Sequence, residues 1–161
     1  MKNVGIITRL CLTASLLLTG CQVWQTSVSP TKQLPAPPKP LITWQGKSAA
    51  TVPTSSCWKY EGQGVCTDTA APPEIIGEKK PKPLSVQPGA TLTVMFPEPP
   101  LEKSLRVTQW LGINEIDQSL ENGNEWKAPD QPGWYMFDVR GEWEQGDAGH
   151  AFVIEVRQPR M

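Results

Sequence analysis

Imidazole is nearly missing from this chain. Its 161 residues include one His, which excludes metal sites built on several His and leaves only His150 as the base of any Ser-His-Asp arrangement. Charge is also sparse: 19% of residues are charged, and 15 basic side chains face 16 acidic ones. A general nucleic-acid binder is thereby excluded, because phosphate affinity comes chiefly from a cationic surface. No apolar run approaches the roughly 20 residues that a bilayer-spanning helix needs. H-E-x-x-H, Walker A, dinucleotide-binding Gly and G-x-S-x-G patterns are absent, so no cofactor is expected and no nucleophile context stands out. What the chain does have is Pro, 17 residues against 13 Gly. That is about twice the ordinary frequency, and the excess fits linkers, turns and edge strands rather than a helix-dominated protein. The length suits one core and little more.

The N-terminus reads as an address. Lys2 and Arg9 give a positive start, the stretch from Leu10 to Leu18 is apolar apart from Thr13 and Ser15, and small residues Thr19 and Gly20 follow. Residues 1–20 are therefore expected to be a signal peptide. Leu18-Thr19-Gly20-Cys21 resembles the lipobox of bacterial lipoproteins. That resemblance implies cleavage before Cys21 and a thioether from its sulfur to diacylglycerol. Ordinary secretion, the other reading, would leave Cys21, Cys57 and Cys66 as an odd set and strand one thiol in an oxidising compartment. Lipidation of Cys21 resolves the count, and two acyl chains on one residue make a stable anchor where a single chain does not. The expected location is the extracytoplasmic face of a cell membrane, the membrane being the first partner. Without residues 1–20 the chain has 13 basic and 16 acidic side chains, a net of −3.

Between Gln22 and Pro40 lie Pro30, Pro35, Pro37, Pro38 and Pro40 with little apolar periodicity. Residues 21–40 thus comprise the lipidated Cys and a Pro-rich tether, extended at about 3.1 Å per residue and reaching at most roughly 60 Å. Pro35-Ala36-Pro37-Pro38 also mimics a PxxP recognition motif, but its place directly after the anchor favours a spacer.

Residues 41–161 carry turn residues every eight to twelve positions and short apolar runs of period two, the pattern of an all-β sandwich or barrel. In Pro132 to Trp143, alternation sets Tyr135, Phe137, Val139 and Trp143 on a core face and Asp138, Arg140 and Glu142 on the other. Phe152, Ile154 and Val156 continue the pattern after a polar turn near Glu144 to Asp147, so the two stretches should form a long antiparallel hairpin. Upstream, Leu92, Val94 and Phe96 share one face, and Leu105 and Val107 open a strand running to Trp110. Asn122-Gly123 signals a turn with positive φ at both positions, with Trp126 on the strand beyond. Ile113, Ile116 and Leu120 have helix-like spacing, for which one turn or an irregular loop is expected.

Residues 84–157 resemble an immunoglobulin-like sandwich, with Tyr135 where such domains place a buried Tyr whose hydroxyl bonds back to the backbone. The fold class expected is therefore all-β, an immunoglobulin-like β-sandwich preceded by a disulfide-stapled hairpin extension over residues 41–76. The chain also resembles an uncharacterised family of lipoproteins from Gram-positive bacteria. The likeness lies in Ser56-Cys57-Trp58, Asp68 through Pro72-Pro73-Glu74-Ile75-Ile76, Gly133-Trp134-Tyr135 through Trp143, Gly146-Asp147-Ala148, and Ala151-Phe152-Val153-Ile154-Glu155-Val156. It implies surface display and a β-rich fold, and no activity.

Cys57 and Cys66 flank a Gly-rich turn. With Glu61-Gly62 as a two-residue loop, Tyr60 pairs with Gln63 and Cys57 lies opposite Cys66, where a cross-strand disulfide can form. Their spacing matches neither C-x-x-C redox chemistry nor a zinc knuckle, so a structural staple is expected and no metal. Glu142, Glu144 and Asp147 with His150 are the only grouping from which an enzyme could be built, and acidic residues at a hairpin tip are ordinarily solvated. Of the seven Trp, Trp110 and Trp134 fall on the parity opposite to the core and are the candidate binding residues; the other reading, which a body this small favours, packs them against the hairpin of residues 41–76. The expectation is a non-catalytic interaction module for an envelope protein. The alternative is a binder of cell-wall glycan through surface Trp, and a hydrolase comes third.

Overall fold

The computed structural model describes residues 36–159. The expected signal peptide, Cys21 and all but the end of the Pro-rich stretch lie outside the described residues. In chain order the elements are β1 (Leu41–Trp44), β2 (Lys47–Ser48), β3 (Thr51–Tyr60), β4 (Gln63–Thr67), α1 (Pro72–Lys79), β5 (Leu84–Val86), β6 (Thr91–Met95), β7 (Arg106–Leu111), β8 (Asn114–Asp117), β9 (Glu125–Lys127), β10 (Gly133–Trp143) and β11 (Gly146–Val156). Among the described residues no helix is long and apolar enough to cross a membrane.

The strands form two sheets. One has the order β2-β1-β6-β9; the other runs β4-β3-β11-β10-β7-β8, with β5 joined to β11. Alternating side chains of both sheets point into a shared interior, where Ile42, Leu92 and Val94 from the smaller sheet meet Val107, Phe137, Val139, Phe152 and Ile154 from the larger. Trp126 on β9 is 1% exposed and fills the centre, its ring 6.0 Å from those of both Phe137 and Phe152. A smaller cluster of Trp58, Trp143 and Ala148 closes one end, with Phe96 edge-on to Trp143.

The long hairpin forms as its alternation requires, Phe137 opposite Phe152 and Trp143 opposite Gly146. Two further features carry the immunoglobulin-like character. β5 pairs in parallel with β11 while every other strand pair is antiparallel. At the entry to β10 the Tyr135 hydroxyl donates to the Gln131 carbonyl at 2.8 Å, the corner bond expected of a Tyr at that position. The chain is an immunoglobulin-like β-sandwich, and Cys57 and Cys66 are joined by a disulfide across the β3-β4 hairpin. Glu61 and Gly62 both have positive φ, as a two-residue loop with strand-matched twist demands.

Residues 41–76 contribute to both sheets. β1 and β2 make a hairpin that pairs with β6, whereas β3 and β4 extend the larger sheet beside β11. α1 then crosses the outer face of that sheet. Pro72 and Pro73 occupy its first turn, where no amide hydrogen is needed; Glu74 complements the positive end of its dipole, and left-handed Lys80 followed by Pro81 ends it.

Two differences from the sequence reading have plain causes. Ile113 to Leu120 is neither a helical turn nor a loop throughout, since Asn114–Asp117 is β8, paired with β7 through the positive-φ Gly112. The isoleucines that suggested helical spacing are exposed edge residues, Ile113 at 92%, so their periodicity records no buried face. Asn122 and Gly123 both take positive φ, but the turn closes only an isolated bridge between Glu121 and Glu125, and Trp126 reaches the core because β9 pairs with β6.

Candidate functional site

The outward face of the larger sheet is where polar side chains converge. Register sets them in rows: Asp138 on β10 lies beside Thr108 on β7, and Thr108 beside Asp117 on β8; one step along, Met136, Trp110 and Glu115 form the next row. Thr54 of β3 reaches the first row from the other side, its hydroxyl donating to Asp138 Oδ1 at 3.1 Å, and the Thr108 hydroxyl donates to Asp117 Oδ1 at 2.9 Å. Residues 69–72, leading into α1, rise beside these rows and enclose a cavity of about 330 Å³.

Arg140 organises one wall. Its Nη1 donates to Asp147 and its Nη2 to the Ser55 carbonyl at 2.9 Å, so the guanidinium lies across β11 rather than pointing into solvent. It can do so because Gly149 is its cross-strand partner. A Cβ at Gly149 would fall 2.9 Å from Arg140 Nη2 and 2.3 Å from Thr54 Oγ1. The missing side chain therefore leaves the space in which both polar groups lie.

Burial pushes the Asp138 carboxyl up to about 6; Glu115 adds to the rise, while the Thr54 hydroxyl and Arg140 hold it back. In the same cavity Trp110 is half-buried and its Nε1 is buried with no hydrogen-bond partner among the described residues. The arrangement thus presents a carboxyl that changes charge near pH 6, with the Trp110 ring beside it and further carboxylates at the rim. Such a set can bind a group bearing a cation or a hydroxyl.

His150 takes no part in it. Its cross-strand partner is the core-facing Val139, and the imidazole is 6% exposed on the inner side of the sheet, whereas Glu142 and Asp147 are paired on the outer side. The fold does not bring His150 together with the acidic residues of the hairpin tip. Burial, with the charge of Lys39 second, pulls its pKa down to about 4 and keeps the ring neutral. Among the described residues no group of three His, Cys, Asp or Glu could hold a metal ion.

Trp110 and Trp134 share the outer face, as parity requires, yet line different cavities. Trp134 is 66% exposed. With Met136, Val153, Ile76, Pro81 and Pro83 it forms an apolar groove of about 450 Å³ at the C-terminal end of α1, while Trp110 belongs to the polar cavity at the other end. A third concavity, of about 810 Å³, lies over Val94 to Phe96 and the loop 99–105. The only ion pair on its lining, Lys103 with Glu102, is fully solvated at 3.6 Å.

Asp138, Thr54, Asp117 and Arg140 are not distinguishable in the sequence from an ordinary solvated strand face. Only the placement of residues 69–80 over that face makes them a site, and nothing in their own spacing announces it. Comparison with protein families, with curated proteins and with solved structures finds no match to this chain.

Proposed function

We propose that this chain is an exported lipoprotein, held to a membrane by diacylglycerol on Cys21, whose sandwich is a non-catalytic interaction module. The observation that supports the binding role is the polar cavity beside the N-terminus of α1, which Asp138 and the half-buried Trp110 both line. A partner segment that offers a cationic or hydroxyl group to Asp138 and packs against the Trp110 ring fits that chemistry. Two experiments test the reading. Mass spectrometry of the mature N-terminus should find acyl groups on Cys21, and Cys21→Ala should release the protein from membranes; a soluble, unmodified wild-type product would defeat the anchor. Capture from envelope extract should weaken at least tenfold with both Asp138→Asn and Trp110→Ala, and unchanged capture would remove the cavity from the binding role.

The exposed Trp134 favours a second reading, binding of cell-wall glycan through the face of its indole. Retention on insoluble cell wall that is lost in Trp134→Ala and kept in Asp138→Asn would support the glycan over the protein partner.

A further inference from the structure

We propose that the Trp134 groove is a second membrane contact, in which the indole enters the headgroup layer of an anionic phospholipid surface and Lys80 and Lys82 engage its phosphates. This rests on the reading of the chain as a membrane-anchored protein and adds which face of the globule meets the lipid.

The composition of the face argues for that occupant. Lys80, Pro81, Lys82 and Pro83 line one side of the groove, and Trp134, Met136 and Val153 line the rest. Lys80 and Lys82 are exposed, as is Lys79, which precedes them. The two prolines between and after the lysines fix the local backbone, so the charges are displayed beside the ring rather than on a freely moving loop. Two acidic residues lie close by, and each is already paired: Glu78 with Lys79 at 2.6 Å and Glu155, the cross-strand neighbour of Trp134, with Arg157 at 2.5 Å. Those pairs cancel, and Lys80 and Lys82 leave the face net cationic on a chain that is net anionic after removal of residues 1–20. A Trp with Lys along one side is the pattern of a headgroup-level contact, the amphipathic indole at the interface and ammonium groups toward lipid phosphate.

Protein partners fit less well. The apolar exposure is one indole with the edges of Met136 and two prolines, well short of the roughly 800 Å² per partner of a stable interface. Trp134 stands on β10 with its backbone paired to Glu155 of β11, so the indole is presented from an ordered strand.

The test uses residues 22–161, which hold the whole described core and lack both the N-terminal apolar run and Cys21. The probe is vesicles of phosphatidylcholine with and without phosphatidylglycerol. Binding should require phosphatidylglycerol and weaken as salt rises. Replacing Lys80 and Lys82 together by Gln should weaken it about 25-fold, near fivefold for each charge. Trp134→Ala should weaken it about tenfold. Because all three side chains are exposed, the variants should keep the wild-type melting curve. In wild-type protein, brominated lipid should quench part of the Trp emission, and Trp134→Phe should abolish that part. No binding to anionic vesicles, binding indifferent to both variants, or quenching that survives Trp134→Phe would overturn the proposal. So would retention of the protein by cell-wall glycan through Trp134 with vesicles ignored. An unmodified Cys21 in the native protein, with residues 22–161 still binding vesicles, would remove the anchor and leave this face; acylated Cys21 in the native protein, with no vesicle binding by residues 22–161, would do the reverse.

Discussion

Two titratable side chains on opposite faces of one sheet pull stability in opposite directions with pH. Asp138 ionises near 3.8 in the unfolded chain and at about 6 in the folded protein. Its proton is held more tightly by the native state, so its contribution is greatest below pH 3.8 and falls by roughly 3 kcal/mol as pH rises through 6. His150 goes from 6.5 unfolded to about 4 folded. The native state refuses its proton, so stability present above pH 6.5 is lost as pH falls toward 4, again by roughly 3 kcal/mol. Between pH 4 and 6 the two slopes oppose and largely cancel. Asp138→Asn should therefore lose stability on acidification across this window, and His150→Leu should gain it, as urea unfolding at a series of pH values will show. Slopes of the same sign in the two variants would refute the assignment.

Among the elements, the β3-β4 hairpin is the least supported. Every residue of β4 is exposed, and beyond Cys57 the hairpin's main apolar contribution is Trp58, whose ring is 5.6 Å from that of Trp143. The disulfide holds what packing does not, with a value of roughly 2 to 3 kcal/mol for a loop of this length in the chain-entropy model. Reduction should consequently raise amide exchange at Val65 and Thr67 while β10 and β11 stay protected; uniform acceleration throughout the domain would show the staple to be global instead. The pairing of Cys57 with Cys66 was legible because a two-residue turn fixes register and register fixes what lies opposite. So was the β10-β11 hairpin, whose alternation of Phe137, Val139 and Trp143 with charged residues leaves one choice of face. α1 was not legible: it is short, contains two prolines and a glycine, and buries only Ile75 and Ile76, too few positions to show a period. Val153 is buried for a reason its own strand does not reveal. It occupies the parity of Glu155 and Arg157, yet α1 covers it, so β11 is buried on both sides where it passes under the helix.

At the scale of the whole molecule, stability is concentrated where the two sheets meet. Trp126 touches both Phe137 and Phe152 from a strand of only three residues, so its ring joins the sheets and also fixes β9 in place. Trp126→Ala should destabilise the domain by about 3 to 5 kcal/mol, with sandwich and hairpin unfolding in one transition by calorimetry. Trp134→Ala, by contrast, should leave the same transition within about 0.5 kcal/mol of the wild type. The polar cavity and the Trp134 groove are both set on this frame, and neither was visible before tertiary structure, because each combines strand residues with a segment some sixty residues earlier in the chain.

The position of β11 has a consequence for biogenesis. It is the common partner of β3, β5 and β10, joined to one of them side by side in the same direction. A polypeptide emerging N-terminus first from a ribosome leaves those three waiting for residues 146–156 to follow. Until then the larger sheet has no middle, and its halves have nothing to join them.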